Sequence, residues 1–197
     1  MTEKYDRNEI IDRVRLTPEQ QYRYATKYWV EIFLRTCVTL AEDMNLGWKK
    51  VNEALLKSSK DGWPMVLDSL KRLSIEERDA RVWAFAEVSA GVNAWPGYID
   101  EVVEFSPKRT AIKGTGKCIV LETAREFKID RKIDLCPWCA SSADAYLRKI
   151  NSKLRFIQTK AMCRGDSYDY GYAELADNVV TGFKHAYEQV RRAPWEK

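Results

Sequence analysis

The chain changes its periodicity once, at Trp95-Pro96-Gly97, and that switch limits what it can fold into. Before it, apolar residues recur at spacings of three and four. After it, β-branched residues alternate in short runs bounded by Gly and Pro. The first period lays an apolar stripe along a helix, and the second fits a half-buried strand. Helices first, then strands mixed with helices, predict an α+β fold and not the regular alternation of a parallel sheet. The 197 residues are read as one α+β domain, with a helical subregion at 1–94 and a sheet-containing subregion at 95–197 that carries the site.

Punctuation residues divide the two parts. Thr17 and Pro18 are an N-cap and a first-turn proline. From there Tyr22, Ala25, Trp29, Phe33, Cys37, Leu40 and Met44 define a stripe that stops near Asn45–Gly47. Trp48 opens a shorter helix broken at Asp61-Gly62, and Trp63 to Leu73 forms the next. Ser74 reads as the cap of a helix running to Ala90. Strands are predicted at Tyr98–Phe105, Arg109–Lys113, Leu154–Met162 and Tyr168–Leu175. Helices are predicted at Lys117–Phe127, Cys136–Ile150 and, capped by Asp177, Asn178–Arg192.

Charge excludes several function classes. The 33 basic and 29 acidic residues are interspersed, and no basic block stands out, so no nucleic-acid partner is expected. The N-terminus is charged throughout and lacks the apolar core of a secretory signal. No apolar run is long enough to span a bilayer, so no membrane partner is expected. A cytoplasmic setting follows, in which the five cysteines are thiols, ligands or nucleophiles before they are disulfides.

Those cysteines hold most of the candidate chemistry. Cys118 follows a Gly-rich turn and opens a predicted helix, whose N-terminus would stabilise a thiolate, with Lys117 acting the same way. Cys136 and Cys139 form a C-x-x-C at another helix start, and Cys163 ends a strand. Cys37 sits on the stripe of the first helix and reads as a small core residue. A thioredoxin-like role needs a strand before the C-x-x-C, and the charged stretch there does not supply one. A metal site would use Cys118, Cys136, Cys139 and Cys163, with zinc or iron as the ion. No cofactor is otherwise expected. The third reading is of packed thiols. The sole histidine, His185, leaves one candidate for a Cys–His pair. Glu122, one turn beyond Cys118, is a candidate base. Alternation puts Tyr168, Tyr170 and Tyr172 on one strand face, either as an aromatic wall for a planar ligand or as ordinary packing. Trp29, Trp48, Trp63 and Trp83 suggest an interface, so a homo-oligomer stays open.

Cys118, then Cys136, then the run Gly165-Asp166 and Tyr168-Asp169-Tyr170-Gly171-Tyr172 resembles the L-2-amino-thiazoline-4-carboxylic acid hydrolase family over about residues 98–175. Tyr168 stands where the family pattern closes on a cysteine. The resemblance implies hydrolysis of a C–N bond in a small cyclic amidine. Cys118 would be the nucleophile, with Cys136 as second candidate. Asp166 and Asp169 would be acid–base or orienting groups, and Arg155 or Arg164 would hold a substrate carboxylate. Tyr168, Tyr170 and Tyr172 would line the substrate site. The alternative is a sensor domain that binds a small ligand or a metal through the cysteine cluster.

Overall fold

The computed structural model describes residues 15–62 and 64–179. The first helix, α1 (Pro18–Val38), begins as its sequence predicts. The Gln20 amide donates to the Thr17 hydroxyl at 3.3 Å, and the Thr17 amide donates to the Gln20 side chain at 2.9 Å. This reciprocal cap satisfies two helix-end donors at once. A π-helical turn, Thr39–Asp43, extends it. The buried face is Val30, Leu34, Cys37 and Ala41, one residue round from the expected stripe. Trp29, read as buried, is 66% exposed. Cys37 is a packed core thiol, and burial pushes its pKa up.

Helix α2 (Trp48–Ser58) runs into a 3-10 turn at Ser59–Asp61, and α3 covers Pro64–Arg72. Trp63, the expected start of α3, lies outside the described residues. Ser74 does not cap the next helix. It sits at φ 55° and ends α3, with its amide bonded to the Lys71 carbonyl at 3.1 Å and the Ile75 amide to the Leu70 carbonyl at 3.0 Å. That pair of bonds is a Schellman close, and Ile75 folds back onto the core behind it. The following helix, α4 (Val82–Ala94), therefore starts seven residues later than Ile75.

Four strands follow: β1 (Tyr98–Phe105), β2 (Arg109–Gly116), β3 (Leu154–Lys160) and β4 (Asp169–Leu175). They form one antiparallel sheet in the order β1-β2-β4-β3. Helices α5 (Ile119–Glu126) and α6 (Leu135–Ile150) connect β2 to β3. The fold is α+β. Strand β2 continues through Gly114-Thr115-Gly116, where the sequence suggested a closing turn. Met162 belongs to a 3-10 turn, Met162–Arg164, and not to β3. The last expected helix lies from residue 180 onward outside the described residues, as does His185.

Two apolar clusters share α6. One joins α3, α4 and α6 to the inner sheet face through Val66, Leu70, Trp83, Ile112, Tyr146 and Phe156. The other joins α1, α2, α5 and the start of α6 through Leu34, Val51, Val120 and Ile133. Asp144 pins α6 to the sheet. It is 1% exposed, accepts the Phe156 amide at 3.0 Å and pairs with Arg148. Trp83 is core and Trp48 is half-buried and donates to Glu42 at 3.1 Å, so among the described residues Trp29, Trp48 and Trp83 form no continuous outer face. No helix among the described residues is long and apolar enough to cross a membrane.

Candidate functional site

Where the two clusters meet the sheet there is a cavity of about 120 Å³. The inner sheet face supplies Ile112, Gly114, Phe156, Gln158, Asp169 and Gly171, and β1 supplies Tyr98. Helix α4 adds Trp83 and Glu87, and Trp95 follows it. Helices α5 and α6 add Leu121, Leu135, Ala140 and Ala143. Cys118, Cys136, Cys139 and Cys163 all touch the same space. Most of this wall is apolar.

The polar groups concentrate at one end. Residues Trp83, Glu87 and Gly91 lie four apart on α4, so one helical face turns all three toward the sheet. Gly91 has no side chain, and a Cβ there would lie 2.2 Å from the Asp100 carboxylate. Asp100, on β1, is thereby tucked beneath the helix. Tyr98 reaches across β2 directly over Gly114, where a Cβ would meet its hydroxyl at 1.9 Å. Beyond Gly114 that hydroxyl donates to Asp169 on β4 at 2.8 Å. The other Asp169 oxygen accepts the Met162 amide at 2.7 Å. Gly114, read as part of a turn signal, is the gap through which one strand's side chain reaches another's.

Three carboxyl groups thus face one another. Burial, reinforced by Asp100 and Asp169, pushes Glu87 up to about 8. Burial and the neighbouring Asp169 push Asp100 up to about 6. Burial also raises Asp169, against the two hydrogen bonds it accepts. Tyr98 is raised as well, by burial first and Asp169 next. Low polarity disfavours charge, and like charges close together disfavour it further.

Three of the thiols, Cys118, Cys139 and Cys163, are raised away from the reactive thiolate. Cys118 does stand at the N-cap of α5, and the Leu121 and Val120 amides favour its thiolate. Burial outweighs them, and the net shift is upward. Burial also raises Cys139, and the Cys163 thiol is raised first by its hydrogen bond to Cys136. Cys136 is 1% exposed and donates to the Gln158 side chain at 3.9 Å. Among the described residues no three Cys, His, Asp or Glu side chains are grouped to hold a metal ion. The four sulfurs line one cavity without forming such a set.

Other candidate residues are held elsewhere. Tyr170 and Tyr172 lie on the opposite face of β4 from Asp169, away from the cavity. The Arg109 guanidinium stacks 4.0 Å from the Tyr172 ring, and Lys113 and Lys160 flank Tyr168. These tyrosines do not wall the cavity. Arg155 pairs with Glu174 on that same outer face. Arg164 is 8% exposed and bonded to Asp134, the N-cap of α6, at 2.7 Å. Neither arginine reaches the cavity. Asp166 accepts the Ala161 amide at 2.9 Å and shapes the turn before β4. Glu122 pairs with Arg125 at 3.0 Å on the surface and is no base for Cys118. Of the predicted site residues the structure gathers Cys118, Cys136, Cys139, Cys163 and Asp169. Sequence reasoning missed Glu87, Tyr98 and Asp100. A signal for Glu87 exists: it is the only charged residue in the thirteen of α4.

No family model matches the chain, and no curated protein matches it. Among solved structures the chain is similar to a trafficking protein particle complex subunit 3 from Naegleria fowleri, covalently bound to palmitic acid. The identity is 15% and the TM-score 0.49, over 79% of this chain and 99% of that one. A likeness of this depth assigns no ligand and no activity to the present chain. The expectation of a cysteine hydrolase is corrected here. The likeness to a trafficking-complex subunit lends a hydrolase no support. The Cys118, Cys139 and Cys163 thiols are raised toward the unreactive form, and among the described residues no arginine lines the cavity to hold a substrate carboxylate. Cysteine nucleophile, C–N bond cleavage and a metabolic substrate fall together.

Proposed function

We propose that the protein is a binding domain that encloses a compact apolar group in the cavity between α4, α5, α6 and the sheet. The cavity itself carries this reading. Protein interiors are packed to crystal-like density, with few voids larger than a water molecule. A dry cavity of about 150 Å³ is known to admit benzene, so the present one suits a single ring or a short branched chain. Trp83, Trp95, Ile112, Leu121 and Phe156 offer such a group dispersion contacts on several sides.

The setting we propose is the cytoplasm. All five cysteines are free, including Cys136 and Cys163, whose thiols are hydrogen-bonded to each other and would be expected to link in an oxidising compartment.

Toluene tests the reading. Saturating toluene should raise the melting temperature by roughly 2–4 °C, the shift expected of about 1 kcal/mol of linkage. Ala143→Phe, which fills the space, should melt cooperatively and show no such rise. An unchanged melting temperature of the wild-type chain at saturation would rule the binding cavity out.

A further inference from the structure

We propose that the molecule the cavity takes carries a protonated amine, held at the Glu87–Asp100–Asp169 end with its apolar body against Trp83 and Trp95. The proposal rests on the binding-cavity reading and adds the ligand's charge.

Glu87 lines the cavity, and among the described residues it makes no hydrogen bond and no ion pair. The Asp100 Oδ1 atom beside it is buried and has no partner. Asp169 accepts two bonds, from the Met162 amide and the Tyr98 hydroxyl, and neither donor carries a charge. The titratable groups facing Glu87 are Tyr98 and Asp100 on β1, Asp169 on β4, and Cys139 and Tyr146 on α6. None is a cation. Buried carboxylates in native proteins are normally paired, and here Glu87 and Asp169 line the cavity while Asp100 lies beneath Gly91, outside its lining.

An ammonium group matches this end in each respect. It brings the missing charge and donates three hydrogen bonds, enough to serve Glu87 and its neighbours together. Its positive charge is also attracted to aromatic faces, and Trp83, Trp95 and Tyr98 stand around the same space. An anion would meet the like charge of Asp169, and the Tyr98 hydroxyl proton is already given to that carboxylate. At neutral pH Glu87, at about 8, still holds its proton, so seating a cation beside it drives that proton into solvent. The bound state carries fewer protons than the free one. Amine affinity therefore rises with pH through the Glu87 range.

Isothermal titration of the full chain with benzylamine, benzyl alcohol and benzoate separates the two levels of the claim. At pH 8.5 benzylamine should bind at least about tenfold more tightly than benzyl alcohol, the value of one charge-assisted hydrogen bond. Benzoate should bind weakest. At pH 6 the amine's advantage should shrink. Titrations in two buffers of different ionisation enthalpy should report proton release near pH 7. Glu87→Gln should reduce the amine-to-alcohol ratio at pH 8.5 and remove its pH dependence, and Asp100→Asn should reduce the ratio independently. Benzyl alcohol binding as well as benzylamine would overturn the cationic ligand while leaving the cavity reading intact. Binding by none of the three would overturn both. An unchanged ratio in both variants, with cooperative melting showing that they fold, would also refute the proposal.

Discussion

Cys118 shows two effects of opposite sign at a single residue. The helix N-terminus favours its thiolate, and the surrounding apolar wall favours its thiol. The wall wins, because losing water around a full charge outweighs two amide contacts. Iodoacetamide at neutral pH should therefore alkylate Cys118, Cys139 and Cys163 more slowly than a free thiol, with unfolding restoring the ordinary rate. Peptide mass spectrometry against time reads this directly, and one fast site in the native protein would contradict it. From the sequence, the meeting of four cysteines was partly legible, since each was placed at a helix start or strand end. Their reactivity was not legible. It depends on which side chains close over them, and Leu121 and Val120 signal that only once α5 has been docked. Tyr170 and Tyr172 do share one face of β4, while Tyr168, expected beside them, precedes the strand. Alternation cannot say which of two faces meets the core when both neighbours are half-buried.

Among the elements, the sheet was the most legible, because Val, Ile and Tyr runs between Gly and Pro leave few alternatives. The start of α4 was misplaced for a specific reason. Ser-Ile-Glu-Glu has the composition of a capping box, yet Ser74 stands at φ 55°, closing the helix before it. Serine is a good residue at both places in composition, but left-handed backbone costs a non-glycine residue roughly 1–2 kcal/mol. Ser74→Gly should accordingly stabilise the fold by roughly 0.5–1 kcal/mol, part of the relief being offset by the freer unfolded chain. Urea denaturation would show it as a raised midpoint with unchanged slope. A lowered midpoint would mean that Ser74 is a start signal after all. The rotation of the α1 stripe has a similar origin: Trp29 and Val30 are both apolar, and periodicity alone cannot rank adjacent apolar positions.

For the whole molecule, three facing carboxyl groups set the direction of pH dependence. Glu87 ionises at about 8 when folded against an ordinary 4.5, and Asp100 at about 6 against 3.8. Between those values the folded chain keeps protons that the unfolded chain has released, so folding stability falls as pH rises. The loss should begin near pH 4 with Asp100 and continue to about pH 8 with Glu87. Urea midpoints at pH 5.5, 7 and 8.5 should decline in that order, and Glu87→Gln should flatten the upper half of the decline. A midpoint that rises across this range would show that the carboxyl groups are compensated. The cluster joins α4, β1 and β4, elements far apart in sequence. That distance is why no local motif announced it.

Gly114 and Gly91 have a consequence for the order in which this protein can change. Each is a place where the chain withholds an atom so that a neighbour's polar group can occupy the space. Every substitution at a glycine adds volume, so neither position has a neutral first step while Tyr98 and Asp100 keep their side chains. The neighbour must shorten first, as in Tyr98→Ala before Gly114→Ala, and the two changes are then strongly non-additive. Reversal meets the same constraint, since Tyr98 cannot return over an alanine. The acidic end of the cavity is thus guarded by mutational order, and a lineage that loses it must retrace its steps in sequence to recover it.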